Sequence, residues 1–99
     1  MNLRFVRTTR TPSSERYVLQ NPAGEEEAAL ELHYLTDGRA TGTLILLGAS
    51  KVADHEVADL LKQIDETLLP DVSFEEGNLS FTVVRGTLTG SYVSVKEPH

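Results

Sequence analysis

The stretch EAALELHYLTDGRATGTLILL, residues 27–47, decides the fold. From Glu27 to Leu35 apolar and polar side chains alternate, which is typical of a strand with one buried face. Asp37-Gly38 is a turn signal, and Ala40 to Leu47 is interpreted as the returning strand. The stretch therefore predicts a β-hairpin.

The register of this hairpin follows from the need for one apolar face. A two-residue turn at Asp37-Gly38 mixes polar and apolar side chains on both faces. A three-residue loop, Thr36-Asp37-Gly38 with Gly38 in the left-handed conformation, pairs Leu30 with Leu44 instead. It collects one apolar set on a single face: Leu30, Leu32, Tyr34, Ala40, Leu44 and Leu46. We predict this register, because only it gives a clean buried side.

One amphipathic helix is predicted after Gly48. Its apolar side chains follow the helical period along a single stripe: Ala53, Val57, Leu60, Leu61, Ile64 and Leu68. Ser50 or Asp54 is a suitable N-cap, and Pro70 prevents continuation of the helix. We expect five side chains to be buried together where the helix meets the sheet: Leu60, Leu61, Ile64, Phe81 and Leu44.

Shorter β-favouring runs flank the hairpin and the helix. They predict strands at Tyr17–Leu19, Val72–Phe74, Leu79–Val83 and Tyr92–Val95, with a loop from Arg85 to Gly90. The element order is then β-β-β-α-β-β-β, with the strands joined as hairpins. The predicted fold class is α+β, an antiparallel sheet of five to six strands with one amphipathic helix packed on one face.

The chain is predicted to have three parts. Residues 7–15 hold no large apolar side chain and are interpreted as a loop, so residues 1–14 are expected to form a flexible basic arm. Residues 15–96 are predicted to be a single α+β domain, because 99 residues suffice for one core. Residues 97–99 are the C-terminal end. As an alternative, three apolar residues of the arm could form a short edge strand: Leu3, Phe5 and Val6.

Composition and charge exclude several classes of partner. The chain has a net charge of −6, and the four arginines of residues 1–16 leave a strongly acidic body, which makes nucleic-acid binding unlikely. No apolar run is long enough to cross a membrane, and no secretory signal pattern is present. With no cysteine there is no disulfide or thiolate chemistry. We expect a cytoplasmic protein without membrane contact.

The sequence holds no recognisable catalytic pattern. It has no phosphate-binding loop, no nucleophile elbow and no paired-histidine metal motif, so we predict no catalytic residues, no cofactor and no metal site. Whether the protein is an enzyme is therefore undecided, with the absence of motifs arguing against it. The acidic run Glu25-Glu26-Glu27 is interpreted as a solvated start of a strand beside a turn.

The candidate binding surface is the face of the sheet that one helix leaves uncovered. This surface, called the open face below, is predicted to carry Glu31, His33, Leu35, Arg39, Thr41, Thr43, Ile45, Thr82 and Val84. Such a face is either solvated or covered by a partner. The first hypothesis is a small cytosolic binding or adaptor domain that uses the open face for a protein partner or a weak homodimer. The alternative is a small enzyme or ligand binder with a polar site at Glu31, His33, Thr41 and Thr43.

Overall fold

The structure is a computed structural model that describes residues 3–48, 50–69 and 78–86. These residues form β1 (Arg4–Thr11), β2 (Ser14–Gln20), β3 (Glu26–Tyr34), β4 (Ala40–Leu47), a 3₁₀ turn (Asp54–Glu56), α1 (Val57–Leu68) and β5 (Leu79–Gly86). The five strands lie side by side in the order β1-β2-β3-β4-β5. Strands β1 to β4 form an antiparallel meander, and β5 runs parallel to β4.

The α+β class is confirmed, but the purely antiparallel sheet is wrong. After β4 the chain passes through α1 and begins β5 beside the start of β4, so that Leu79 lies opposite Ala40 and Gly86 opposite Leu47. A helical crossover of this kind makes the two strands parallel, whereas a tight turn would have made them antiparallel. Residues 85 and 86, predicted as loop, extend β5. The predicted strands at Val72–Phe74 and Tyr92–Val95 lie outside the described residues.

The element order is also corrected at the N-terminal end, where four strands rather than three precede the helix. β1 pairs with β2 from Arg4↔Gln20 to Thr11↔Ser14, with a bulge at Thr8. The loop interpretation of residues 7–15 is therefore wrong, and the edge-strand alternative is right. Phe5 packs against the core, and β-branched threonines favour the extended backbone. The division into an arm and a domain at residue 15 stays a prediction.

The predicted register of the β3–β4 hairpin is confirmed. Leu30 lies opposite Leu44, and the Leu35 amide donates to the Arg39 carbonyl at 2.8 Å, which closes a three-residue loop. Gly38 has a φ of 86°, the left-handed conformation that the loop requires. The amide of Arg39 donates to the Asp37 carboxylate at 3.1 Å and lowers the pKa of Asp37. One face of the hairpin is thereby fixed as the buried face.

The core lies between α1 and that face. The largest side chains that are fully buried are Leu19, Leu30, Leu32, Leu44, Leu46, Leu60 and Ile64. The expected burial of Leu44, Leu60 and Ile64 is confirmed, but Leu61 and Phe81 are half-buried. Leu61 lies at the margin of the apolar stripe, and Phe81 belongs to β5 at one side of the described sheet. Both therefore pack against the core without being enclosed by it.

The start of the helix differs from the prediction as well. Neither Ser50 nor Asp54 is the N-cap, because the first turn begins at Ala53, whose amide donates to the Glu56 carboxylate at 3.0 Å. Ser50 instead accepts the Val52 amide at 3.1 Å, which bends the chain toward the helix. Within the ranges that the structure describes, no helix has the length and apolar character to cross a membrane.

Candidate functional site

The open face is larger than predicted, because β1 and β2 add to it. Five apolar side chains lie on it in direct cross-strand register, one from each strand: Val6, Val18, Ala29, Ile45 and Val84. We call this line the apolar row. Its first four members are half-buried by their neighbours, and Val84 is 45% exposed. The row crosses the full width of the described sheet without a charged residue.

Two polar rows run parallel to the apolar row. The nearer one consists of Thr9, Arg16, Glu31, Thr43 and Thr82, and the farther one of Thr11, Ser14, His33, Thr41 and Ser80. In the nearer row Arg16 Nη2 lies 2.6 Å from Glu31 Oε1. Both side chains are solvent-accessible, so this pair contributes little to stability. The open face thus combines one apolar row with hydroxyl groups and a neutralised charge pair, and exposed Arg4 lies on β1 at the other side of the apolar row.

The structure places seven of the nine predicted site residues on the open face and the other two, Leu35 and Arg39, in the loop that joins β3 and β4. Seven belong to the three rows, whereas Leu35 and Arg39 pair with each other at the hairpin end. Thr41, Thr43, Ile45 and Glu31 are half-buried, and the others are exposed: His33, Leu35, Arg39, Thr82 and Val84. Three members of the apolar row were not predicted: Val6, Val18 and Ala29. Val6 was assigned to an arm, and the pairing of β2 with β3 that brings Val18 beside Ala29 was not predicted.

The proposed polar site at Glu31 and His33 has limited chemistry. Glu31 lies opposite Thr43, and His33 opposite Thr41, as the register requires. However, the Glu31 carboxylate accepts its hydrogen bond from Arg16, and no bond among the described residues joins it to His33. A general base needs a carboxylate or imidazole aimed at the proton it moves. This arrangement directs the carboxylate to an arginine instead.

A second polar cluster was not anticipated. Glu15 of β2 accepts hydrogen bonds from the hydroxyls of Tyr17 and Tyr34, the latter at 3.0 Å, and Arg7 Nη1 lies 3.9 Å from the same carboxylate. The Glu15 side chain is only 13% exposed. Sequence reasoning placed Glu15 at the end of a loop, so the pattern held no signal for this cluster.

The electrostatics of this cluster favour a structural role. The hydrogen bond from Tyr17 lowers the pKa of Glu15, while burial and the bond to Glu15 raise the pKa of Tyr34 to about 12. Burial likewise raises the pKa of Tyr17. A phenol with a raised pKa is a poor nucleophile or base at neutral pH. The three side chains therefore satisfy one another's hydrogen bonds at one end of the core and are not reactive groups.

A surface cavity of about 190 Å³, open to solvent, lies at the opposite end of the sheet, where the β2–β3 turn meets the chain leading to α1. Its lining residues are Leu3, Asn21, Pro22, Glu27, Lys51, Val52 and Glu56. The interpretation of Glu25-Glu26-Glu27 as solvated is wrong for Glu27, which is only 5% exposed. Glu27 is the extra residue of a bulge, since Leu19 pairs with Ala28 and Gln20 with Glu26. A bulge re-aims one side chain, and strict alternation cannot reveal it.

No protein-family model, no curated protein and no solved structure matches the chain. In the described ranges no group of three or more metal-ligating side chains is present. The open face and the cavity are the two candidate sites of the described residues.

Proposed function

We propose that the protein is a small interaction domain that self-associates weakly through its open face, with the apolar row of one copy packed against that of a second. The observation that carries this proposal is the row itself: five apolar side chains in register across five strands. Scattered apolar residues at a surface are ordinary, whereas a contiguous apolar patch on a sheet face that no helix covers is typical of a contact surface.

The shape of the row suits a second sheet. Valine, alanine and isoleucine are short, and on a strand they form an even surface on which another sheet packs at about 10 Å. Two such faces related by a two-fold axis bring identical rows together, as the isologous interfaces of homodimers do. The polar rows then lie at the rim of the contact, where hydroxyl groups stay hydrated.

Charge favours a second copy as the occupant. The chain carries −6 overall, so most surfaces of two copies repel each other. On the open face Arg16 is paired with Glu31, and Arg39 Nε lies 2.7 Å from the Asp37 carboxylate at the hairpin end. The centre of this face is therefore close to neutral. Two acidic molecules can therefore approach through this part of the described surface with little repulsion.

The available area sets the strength of the association. Five strands spaced about 4.8 Å apart, each contributing about seven residues of about 3.3 Å, cover roughly 550 Å². A standard interface buries about 800 Å² on each partner. We therefore expect a dissociation constant on the order of micromolar, in the range of transient complexes.

The test uses Ile45→Arg, which places a charge in the middle of the apolar row. The matched control is Ala58→Arg, because Ala58 is exposed on α1 and the substitution adds the same charge away from the open face. Sedimentation velocity over about 5 to 500 μM, a span chosen to bracket a micromolar constant, reports association. Circular dichroism reports whether each variant is folded.

We expect the wild type and Ala58→Arg to form dimers as concentration rises, and Ile45→Arg to remain a folded monomer. A folded Ile45→Arg that dimerises like the wild type overturns the proposal. So does a wild type that remains a monomer throughout, which would leave the open face to a different protein. The ligand-binder alternative is favoured instead if a small molecule shifts the amide resonances of His33 and Thr41 without changing the mass.

A further inference from the structure

We infer that the cavity at Glu27 is a binding site for a small aliphatic cation, an ammonium or guanidinium group on a short alkyl chain. This inference is independent of self-association, because the cavity is lined by the β2–β3 turn and the segment before α1 rather than by the three rows. The cavity of about 190 Å³ is far larger than one water needs and smaller than the pocket of a drug-sized ligand.

Glu27 is the main polar residue of the cavity. Its side chain is buried, yet its only hydrogen bond from a described residue comes from the Lys51 amide, which donates to Oε1 at 3.0 Å. Within the described ranges no cationic side chain lies within 4 Å of the Glu27 carboxylate. A buried carboxylate normally acquires a cationic partner, because burial without one is costly. The second oxygen, Oε2, has no donor from the described part of the chain, and it is not enclosed, because the one enclosed side-chain oxygen without a partner in that part is Asp65 Oδ1. Oε2 is therefore open to the cavity.

The remaining residues of the cavity lining add a second carboxylate and an apolar wall. Glu56 contributes another carboxylate, and its Oε1 is likewise occupied by a backbone amide, that of Ala53. Leu3, Pro22 and Val52 supply apolar wall. Two carboxylates beside an apolar wall match a ligand that has a cationic head and a short alkyl body. Such a head donates charge-assisted hydrogen bonds to the free carboxylate oxygens.

Lys51 is the one cationic residue among the described residues of the lining. Its ammonium group forms no ion pair with Glu27 or Glu56, and its side chain is exposed. Lys51 therefore does not neutralise the cavity. It contributes its backbone amide, which holds Glu27 in place and sits beside the bound head group. That amide is a direct spectroscopic reporter of occupancy.

The experiment titrates the ¹⁵N-labelled protein with n-butylammonium and n-butylguanidinium, and with n-butanol as the uncharged match. We expect a saturable shift of the Lys51 and Val52 amide resonances with either cation and none with n-butanol. Equal shifts with n-butanol would show that charge is not recognised and would overturn the inference. The absence of a saturable shift with both cations would overturn it as well.

Variants locate the site. Glu27→Gln removes the buried charge, and Glu25→Gln removes the charge of an exposed neighbour that does not line the cavity. We expect at least a ten-fold loss of cation affinity for Glu27→Gln and no change for Glu25→Gln; equal affinity in a folded Glu27→Gln overturns the inference. If Glu27→Gln does not fold, Glu56→Gln takes its place, since glutamine still accepts the Ala53 amide. Unchanged affinity there is the contradicting result.

A further arm distinguishes the source of the cation. A short peptide with one lysine, blocked at both ends, presents the same ammonium group as a protein side chain. Binding of the peptide with the affinity of n-butylammonium assigns the site to a lysine of a partner, and binding of the free amine alone assigns it to a small molecule. The sedimentation of the open-face variants is unaffected in either case, so the two proposals fail separately.

Discussion

The two faces of the sheet come from the same strands and differ in the size of their side chains. The covered face carries leucines that are fully buried against Leu60 and Ile64 of α1. On the open face the apolar side chains are the valines, alanine and isoleucine of the apolar row, and threonine recurs in both polar rows. Long flexible side chains fill the uneven space beneath a helix, whereas short branched ones form an even surface. Side-chain size therefore separates the face that makes the core from the face available to another sheet.

Truncation in the core should have the largest effect. Leu60→Ala removes a fully buried side chain from α1 and should lower the free energy of unfolding by about 2–5 kcal/mol. Val18→Ala, on the half-buried apolar row, should cost about 1 kcal/mol or less because the site is already part-solvated. Chemical denaturation of the two variants measures the contrast. Equal losses would mean that the open face is part of the core.

Enlarging a side chain should show the same contrast between the two faces, with a smaller effect on the free energy of unfolding. A Cβ added at Gly42 on the covered face would collide with the Phe81 ring, which lies across it from β5. Gly42→Ala should therefore cost about 1–3 kcal/mol, as overpacking does. Ala29→Val on the apolar row should be close to neutral. Thermal and chemical unfolding measure both.

A second substitution tests the cause of that loss. Phe81→Leu removes the ring that meets the added Cβ, so the double variant should lose less than the two single variants together. Strict additivity would show that the Gly42 backbone, rather than the Phe81 contact, is responsible.

The polar end of the covered face should give the smallest effect, visible as a dependence of stability on pH. The pKa of Glu15 is lowered in the folded state, so its contribution is present above its ordinary value of 4.5 and is lost as the pH falls through the lowered value. The pKa of Tyr34 is raised from 10.0 to about 12, so its contribution is present below pH 10 and is lost as the pH rises toward 12.

Matched variants separate these two contributions. Glu15→Gln should flatten the acid side of the stability profile, and Tyr34→Phe should flatten part of the alkaline side. Denaturant midpoints across the pH range, with tyrosinate absorbance at the alkaline end, provide the measurement. An unchanged acid limb in Glu15→Gln would assign acid sensitivity to other carboxylates.

Local pattern predicted the parts of the fold that depend on neighbouring residues. The β3–β4 register followed from one requirement, a single apolar face with Gly38 in the left-handed conformation. The helical stripe placed Leu60 and Ile64 in the core for the same reason. The direction of β5 was wrong because nothing local distinguishes a helical crossover from a series of hairpins.

The residues of the functional surfaces could be predicted only in part from the sequence pattern. The open-face residues of β3, β4 and β5 could be named from alternation, but the apolar row could not, because it requires β1 and β2 beside them. Glu27 was misassigned because a bulge changes its direction, and the Lys51 amide that holds it lies 24 residues away in the chain. Long-range pairing and local irregularity are the two sources of the missing information.

The most direct test of self-association through the apolar row is an isotope-filtered nuclear Overhauser experiment. An equal mixture of ¹³C-labelled and unlabelled protein, at a concentration where dimers form, detects methyl contacts between copies only. We predict contacts between copies among the methyls of the apolar row, with the Ile45 methyls contacting at least one valine of the row in the partner, and none from Leu60 or Ile64. Intermolecular contacts from helix methyls instead, or none from Ile45 in a sample that sediments as a dimer, would contradict the account.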